Sequence, residues 1–239
     1  LLTAAFADWR RAAEPLPEAE PPTVGAGRRV LLVDKPSATQ SYFWIGSVGV
    51  DRGFEQRAEL DIANTLFGGR FTSLLMDEMR TRAGLTYNAR SVLLRPSHPG
   101  SVAIVSFTKT DSTIVAIDMA LELLAQLRAE GFDEALIESG KNYILGQFPP
   151  QLETSAQLAN QFAALRAAGL DESHINDYSA AIRGAAGEEI QSVISNVYPT
   201  PDDLVFVIIG DAESIRAGVA KYGDVTELSI TEPHFRPNP

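Results

Sequence analysis

Two periodicities of apolar positions run along the chain and predict its secondary structure. Short runs rich in β-branched and aromatic residues are typical of strands. Apolar residues that recur every three to four positions are typical of helices. The predicted strands cover residues 29–34, 41–50, 87–95, 101–108 and 204–209. The predicted helices cover residues 55–67, 72–84, 111–130, 133–147, 155–168, 172–183 and 187–197, and a last helix ends near residue 222.

The order of these elements indicates the fold class. It reads β-β-α-α-β-β, then a block of helices, then β-α. Strands joined by a hairpin and helices gathered in runs are typical of α+β folds, whereas a doubly wound α/β fold alternates the two. The sequence therefore predicts an α+β domain built on an antiparallel or mixed sheet, with helices packed on one face.

The two ends of the chain differ from the part between them. Residues 1–11 predict a short helix with one apolar face. Residues 14–23 concentrate proline and glutamate, which disfavours helix and sheet interiors and predicts a semi-rigid linker. We therefore expect a terminal segment with a linker over residues 1–23, one domain over residues 24–223, and a C-terminal tail over residues 224–239.

The composition excludes several functions. Lys and Arg number 20, and Asp and Glu number 31, which gives a formal net charge of −11. Binding to nucleic acid or to an anionic membrane needs clustered cations, so neither is expected as a partner. No apolar run approaches the roughly 20 residues of a transmembrane helix. The lack of cysteine excludes disulfides, thiol nucleophiles and cysteine-ligated zinc.

Histidine-based metal binding has little support. The three histidines are His98, His174 and His234, and the sequence contains neither H-x-x-E-H nor H-E-x-x-H. His174 and Asp177 share a helix face, with Glu172 nearby, but a catalytic zinc needs three protein ligands. A solvated helix start is favoured for this stretch, and His98 and His234 are expected at the surface. We therefore predict no metal site in this chain.

Nucleophile and anion sites have weak support as well. No G-x-S-x-G motif occurs, and Ser47 lies in a predicted strand without a base. Gly68, Gly69 and Arg70 precede a predicted helix and offer free N–H groups to an anion, but the lysine of a P-loop is missing. The end of one helix and the start of the next explain the same tripeptide.

The most informative stretch, residues 66–88, surrounds a predicted helix-to-strand junction. Gly84 suits the end of the helix because glycine readily adopts positive φ. Arg80 then lies in the last helical turn, and Tyr87 lies early in the next strand. Their guanidinium and phenol groups are donors that suit a peptide carbonyl or an oxyanion. Alternatively, Arg80 favours the helix C-terminus electrostatically and Tyr87 belongs to the core.

The same residues carry a resemblance to a known peptidase family. Residues 68–75 (GGRFTSLL) and 79–87 (MRTRAGLTY) resemble the pitrilysin/insulinase family of zinc metallopeptidases, which includes mitochondrial processing peptidase. The resemblance extends to residues 33–36 (VDKP), 146–149 (GQFP) and 204–211 (LVFVIIGD). It covers about residues 24–223 and implies a metallohydrolase half-domain of the LuxS/mitochondrial-processing-peptidase type.

Members of this family pair two homologous halves around a peptide, and one half carries the zinc motif H-x-x-E-H. This chain lacks the motif and has Arg80 and Tyr87 at the R-x6-Y spacing. The resemblance therefore identifies it as the non-catalytic, C-terminal-type half. It implies that Arg80 and Tyr87 bind the substrate backbone and stabilise the tetrahedral intermediate, and that Gly68, Gly69 and Phe71 bind substrate. No cofactor is expected in this chain, and zinc is expected in the partner half.

The partner implied by the resemblance is a zinc-binding half, either upstream in the same chain or in a separate subunit, and the ligand is a peptide. Residues 1–11 then resemble the end of a preceding half, and this chain alone is expected to be inactive. One alternative is a structural or interaction module of the same family without proteolysis. Another is an anion-binding protein that uses residues 68–70. The negative charge disfavours anions and weakly favours basic peptides. A bacterial protein of the periplasm or the cytoplasm is compatible with the resemblance.

Overall fold

One mixed sheet organises the protein. The computed structural model describes residues 2–10, 13–14 and 27–232. Its strands are β1 (Arg29–Asp34), β2 (Gln40–Val48), β3 (Ala89–Leu94), β4 (Ser101–Lys109), β5 (Val205–Gly210) and β6 (Asp224–Ser229). They pair in the order β3-β4-β2-β5-β1-β6. Strand β1 runs parallel to β5 and β6, whereas the pairs β2–β4, β2–β5 and β3–β4 are antiparallel. The predicted α+β class with a mixed sheet is confirmed.

Helices occupy most of the remaining described chain. The α-helices are α1 (Leu2–Ala5), α2 (Arg57–Asn64), α3 (Thr113–Glu130), α4 (Glu134–Gln147), α5 (Ser155–Ala167), α6 (Ser173–Asn176), α7 (Tyr178–Gly184), α8 (Gly187–Val197) and α9 (Ala212–Val219). Two π-helical segments cover Thr65–Gly69 and Met76–Arg82. Short 3-10 helices cover Thr110–Ser112, Pro149–Leu152 and Ala220–Tyr222.

Alternating burial gives the sheet an inner and an outer face. Phe43 and Ile45 of β2 and Phe206 of β5 are buried in a core cluster that also contains side chains of α2, α3, α8 and α9. Because successive side chains of a strand point to opposite faces, Tyr42 and Trp44 lie on the outer face, where both are exposed. The helices therefore cover one face of the sheet, and the other face presents aromatic rings to solvent.

Local signals set the ends of the central helices. The Asp133 carboxylate accepts a hydrogen bond from the Leu136 amide (2.8 Å) at the start of α4. Thr154 and Gln157 form a capping box that starts α5. Gly131, at φ +62°, follows the last residue of α3. These signals explain why the predicted bounds of α3, α4 and α5 agree with the structure to within two residues.

The helices that flank the predicted junction differ from ideal α-helices. The segment predicted over residues 55–67 begins as α2 and continues as the Thr65–Gly69 π-helix. The segment predicted over residues 72–84 is mostly the Met76–Arg82 π-helix. π-Helical turns are rare and occur frequently at functional sites. Apolar periodicity predicted both helices correctly but could not distinguish the two kinds of turn.

The ends of the chain also differ from expectation. Helix α1 is only four residues long, and most of the expected linker lies outside the described residues. The expected C-terminal tail contains β6, which pairs with β1 at the edge of the sheet. Leu228 is the one buried residue of β6, so this polar edge strand lacks the apolar pattern that identifies the others. The sheet thus extends beyond residue 223, where we expected the domain to end.

The backbone at Gly68 packs directly against β3. Gly68 is buried in the Thr65–Gly69 π-helix. A Cβ atom at this position would lie 2.1 Å from the Ser91 amide nitrogen and 2.8 Å from the Arg90 carbonyl carbon. Because both neighbours belong to the backbone of a paired strand, they cannot move aside cheaply. Glycine is therefore required for the π-helix to approach the sheet edge this closely.

We predict that Gly68→Ala destabilises the fold by about 1–3 kcal/mol, because the added methyl group forces the π-helix away from β3. The matched control is Gly146→Ala in α4, where a Cβ atom would meet no atom within 4 Å. This control should stabilise the protein by about 0.5–1 kcal/mol, because alanine favours helix interiors. Urea denaturation measures both changes, and equal stability of the two variants would contradict the packing role of Gly68.

Helix α5 is weakly attached to the rest of the protein. Leu165 is its only buried residue, whereas seven residues of α3 are buried. Leu158 and Phe162 of α5 are exposed. Since tertiary packing supplies most of the stability of a helix in a protein, α5 should open more easily than α3.

We therefore expect the backbone amides of α5 to exchange with deuterium faster than those of α3 under native conditions. Local opening exposes hydrogen bonds at a rate set by the few apolar contacts that must break. Hydrogen exchange followed by mass spectrometry measures both helices in one sample. Equal protection of α5 and α3 would show that the small buried area of α5 does not determine its stability.

Candidate functional site

A tight turn connects the Met76–Arg82 π-helix to β3. The Gly84 amide donates to the Arg80 carbonyl (3.2 Å), and the Leu85 amide donates to the Met79 carbonyl (2.9 Å). Gly84 has φ +63°, as the sequence predicts for the end of this helix. The chain therefore reverses immediately after the turn that carries Arg80.

Side chains of β4 hold the residues on both sides of Tyr87. The Thr108 hydroxyl donates to the Leu85 carbonyl (2.6 Å). The Ser106 hydroxyl donates to the Asn88 carbonyl (2.9 Å), and the Asn88 amide donates to the Thr86 hydroxyl (3.1 Å). Because Ser106 and Thr108 belong to a strand with partners on both sides, the loop is fixed to the rigid part of the sheet.

Tyr87 itself points away from the core. Its side chain is 79% exposed, although both flanking residues are held by hydrogen bonds. The alternative that Tyr87 is a core residue is therefore wrong. The structure therefore presents an exposed phenol, which can donate a hydrogen bond to a ligand, on a backbone segment that is anchored on both sides.

Arg80 packs on a second exposed aromatic residue. Its guanidinium carbon lies 4.6 Å from the centroid of the Phe71 ring, and Phe71 is 67% exposed. Stacking uses the face of the planar guanidinium, so the N–H groups in its plane stay available. Among the described residues, a cation–π contact joins Arg80 to Phe71, and no hydrogen bond or cation–π contact joins Arg80 to Tyr87. The structure therefore places Arg80 and Tyr87 on either side of one turn, without direct contact between them.

The predicted glycine pair has two different environments. Gly68 is buried against β3, whereas Gly69 is exposed. Helical structure resumes at residue 74, so the tripeptide of Gly68, Gly69 and Arg70 ends one helix and does not open the next. Packing and helix termination thus account for the tripeptide. Because the tripeptide does not begin a helix, it lacks the helix N-terminus on which the anion-binding alternative depends.

A cavity of about 470 Å³ lies beside Gly69 and Phe71. Sequence reasoning missed most of its wall, because these residues come from three separate segments. Arg70 contributes a guanidinium whose Nη1 donates to the Ser139 hydroxyl (2.9 Å). Its Nε is buried without an acceptor among the described residues. The remaining polar wall includes Asn88 and Arg90 near β3 and Tyr143 of α4.

These groups share one chemical property, which is that they donate hydrogen bonds. Arg70, Arg80 and Arg90 carry guanidinium groups, and Tyr87 carries a phenol. Such donors suit the carbonyl oxygens of an extended peptide and any negative charge that develops on one of them. None of these four groups serves as a nucleophile at neutral pH.

The described residues do not offer a zinc site. No cluster of three or more histidine, aspartate or glutamate side chains in this part of the chain is arranged to hold a metal ion. Burial, reinforced by the positive charges of Arg57, Arg52 and Arg95, lowers the pKa of His174 to about 4. Glu172 and Asp177 are exposed, as expected for a solvated helix start, but His174 is half-buried, which corrects that expectation. The arginines around His174 repel a cation.

The remaining sequence candidates are His98, His234 and Ser47. His98 is exposed in the loop between β3 and β4, as expected. His234 lies outside the described residues. The Ser47 hydroxyl donates to the Val48 carbonyl (3.1 Å) within β2.

Among the residues that the structure describes, no helix combines the length and apolar character needed to cross a bilayer.

Comparison with known proteins identifies the family. The family model for the peptidase M16 inactive domain matches residues 1–144. An uncharacterized zinc protease of Streptomyces coelicolor is 24% identical over 187 residues, which are 78% of this chain and 40% of that protein.

Solved structures share the fold. The crystal structure of a peptidase M16 inactive domain from Pseudomonas fluorescens matches with a TM-score of 0.75 and 21% identity, covering 82% of this chain and 46% of that one. A protease from Helicobacter pylori matches with a TM-score of 0.76 and 17% identity, covering 87% of this chain and 50% of that one.

The chain spans half or less of the length of each of these three proteins. The family match covers more than half of the chain, includes the junction that carries Arg80 and Tyr87, and agrees with the lack of H-x-x-E-H. The resemblance noted in the sequence is therefore confirmed, and this chain belongs to the peptidase M16 inactive-domain family.

Proposed function

We propose that this chain is the non-catalytic half of a zinc metalloendopeptidase, which binds peptide substrate and completes the active site of a zinc-bearing half. The observation that carries the proposal is the junction at residues 80–87. It presents the exposed Tyr87 phenol and the stacked Arg80 guanidinium on a rigid support, while the described residues provide no metal ligands of their own.

The chemistry of the junction suits the carbonyl group of a peptide bond that is being cleaved. Addition of water converts this carbonyl into a tetrahedral species with negative charge on oxygen. Donors fixed before the reaction stabilise that charge more than they stabilise the neutral substrate. In this proposal Arg80 supplies charge, Tyr87 supplies a neutral donor, and zinc belongs to the other half.

Phe71 and Gly69 complete the substrate surface in this proposal. Phe71 orients Arg80 by stacking and presents its exposed ring beside the 470 Å³ cavity. The exposed backbone of Gly69 allows a peptide to approach closely. Gly68 acts indirectly, because its contact with β3 fixes where this surface lies.

Relatives leave room for a second half. This chain matches 40% of the Streptomyces coelicolor zinc protease, so most of that protein lies outside the matched part. We place the zinc-bearing half there for this protein too, either in the same polypeptide or in a separate subunit. A half whose described residues form no metal-binding cluster has a role in hydrolysis only if such a partner is present.

The outer face of the sheet supports the same proposal. Tyr42 and Trp44 are exposed, and the Tyr42 ring stacks on Phe107 with the centroids 5.4 Å apart. A group of exposed aromatic side chains is typical of an interaction surface. In this proposal the zinc-bearing half covers this face.

In the complete protein with its zinc-bearing half, we expect Arg80→Ala and Tyr87→Phe to lower the rate of peptide hydrolysis. Loss of one preorganised donor typically costs about 10²- to 10³-fold in rate. Zinc content should stay unchanged, since neither side chain binds metal. A quenched fluorescent peptide reports the rate, and metal analysis reports the zinc.

The matched control is Arg82→Ala, because Arg82 lies two residues from Arg80 but is exposed and paired with Glu78 (2.7 Å). It should retain full activity. If Arg80→Ala and Tyr87→Phe also retained full activity, the proposed roles of Arg80 and Tyr87 in hydrolysis would be wrong. A complete protein that binds zinc but cleaves no peptide would instead favour a structural or interaction module.

A further inference from the structure

A second cavity, of about 480 Å³, has an unusual concentration of positive charge. Its wall contains the three guanidinium groups of Arg52, Arg57 and Arg95 and a single carboxylate, that of Asp61. The whole chain has more acidic than basic residues, with a net charge of −11. The local excess of cations is therefore opposite to the charge of the protein as a whole.

The single carboxylate is already used within the protein. Asp61 accepts a hydrogen bond from Arg95 Nη2 (2.6 Å) and a second from the Tyr178 hydroxyl (2.8 Å). Burial raises the pKa of Tyr178, so the phenol remains a donor. Asp61 thus pairs directly with Arg95, and its one negative charge balances only one of the three guanidinium groups in the wall.

Packing fixes the orientation of Arg57. Its guanidinium carbon lies 4.4 Å from the centroid of the Tyr178 ring, and its Nη2 donates to the His174 carbonyl. Burial lowers the pKa of Arg57; Tyr178 and Asp61 oppose this shift, and the positive charges of Arg95 and Arg52 add to it. Arg57 is therefore a preorganised cation in a partly desolvated place, where a bound anion would relieve the repulsion.

Of the three arginines, Arg52 is the most available to bind a ligand. Its backbone amide donates to the Pro96 carbonyl (2.8 Å), which fixes the loop. In residues 27–232 its guanidinium has no hydrogen bond or ion pair within the protein. A half-buried guanidinium with free donors in a cavity is suited to a bidentate contact with a carboxylate.

The cavity adjoins the proposed peptide site. Asn64 and Tyr143 line both this cavity and the one beside Phe71. The amide side chains of Gln147, Gln151 and Gln161 add donors and acceptors to the wall. Such amides match the backbone of a peptide, whereas the arginines match an acid that the peptide carries.

We infer that this cavity, which we call the arginine pocket, binds a carboxylate of the peptide substrate. The inference rests on the proposed peptide-binding function and adds a substrate preference to it. The carboxylate comes either from an aspartate or glutamate side chain or from the C-terminus of the peptide. Net charge alone favours basic peptides, but the pocket acts at contact distance, where it outweighs the screened long-range field.

Fluorescence anisotropy with labelled peptides and the 239-residue chain tests this inference. The first peptide is neutral and capped at both ends, the second has the same length with two glutamates and capped ends, and the third is neutral with a free C-terminus. We expect the second or the third to bind roughly tenfold or more tightly than the first, as for charge-assisted hydrogen bonds. Which of the two gains affinity identifies the source of the carboxylate.

Substitutions locate the effect. Arg52→Gln should remove most of the preference for the acidic peptide, and within residues 27–232 its guanidinium makes no hydrogen bond or ion pair that the substitution would break. Arg57→Gln should do the same, and far-UV circular dichroism shows whether that variant stays folded. The matched control, Arg82→Gln, changes the net charge equally but lies outside the arginine pocket, so it should retain the preference.

Two results would overturn the inference: equal binding of all three peptides, or a preference that Arg52→Gln leaves intact. Neither result affects the proposed function, because hydrolysis through Arg80 and Tyr87 is measured separately. Conversely, loss of activity in the Arg80 and Tyr87 variants without any carboxylate preference would support the proposed function and refute the arginine pocket.

Discussion

Close packing of the Gly68 backbone on strand β3 determines where the rest of the candidate site lies. With an amide nitrogen only 2.1 Å from the position that a side chain would take, this contact is possible for glycine alone. It joins α2 and its π-helical extension to the edge of the sheet. The loop with Phe71 follows directly, and α2 carries Arg57 and Asp61 toward the arginine pocket. The positions of both cavities therefore depend on this one contact between the Gly68 backbone and β3.

The sequence predicts most of the fold because most elements carry their own signals. Strand β1 is found at the predicted residues, and α3 to α5 begin and end close to the predicted positions because caps and glycines mark them. Strand β6 was missed because an exposed edge strand has only Leu228 to bury. The π-helical turns were missed because their apolar spacing over one turn resembles that of an α-helix.

Some parts of the candidate site could likewise be predicted from the sequence, and others could not. Arg80 and Tyr87 are close in sequence, and Gly84 marks the end of the helix between them, so the sequence alone could identify both. Their exposure could not be predicted, since it depends on Ser106 and Thr108 of β4 holding the loop. The arginine pocket had no local signal at all. Arg57 and His174 meet across 117 residues of sequence, and only the folded chain shows that cations gather there in an acidic protein.

The proposed function requires Tyr87 to lie beside a zinc ion that another half of the protein holds. Replacing zinc with paramagnetic Co²⁺ in the complete protein, labelled with fluorotyrosine, measures this proximity directly by fluorine NMR. Loss of one resonance in Tyr87→Phe assigns Tyr87, and Tyr222, which is buried in the core, serves as the reference. We expect Co²⁺ to broaden the Tyr87 resonance strongly and to have little effect on that of Tyr222. A Tyr87 resonance as sharp with Co²⁺ as with zinc would contradict the proposed function.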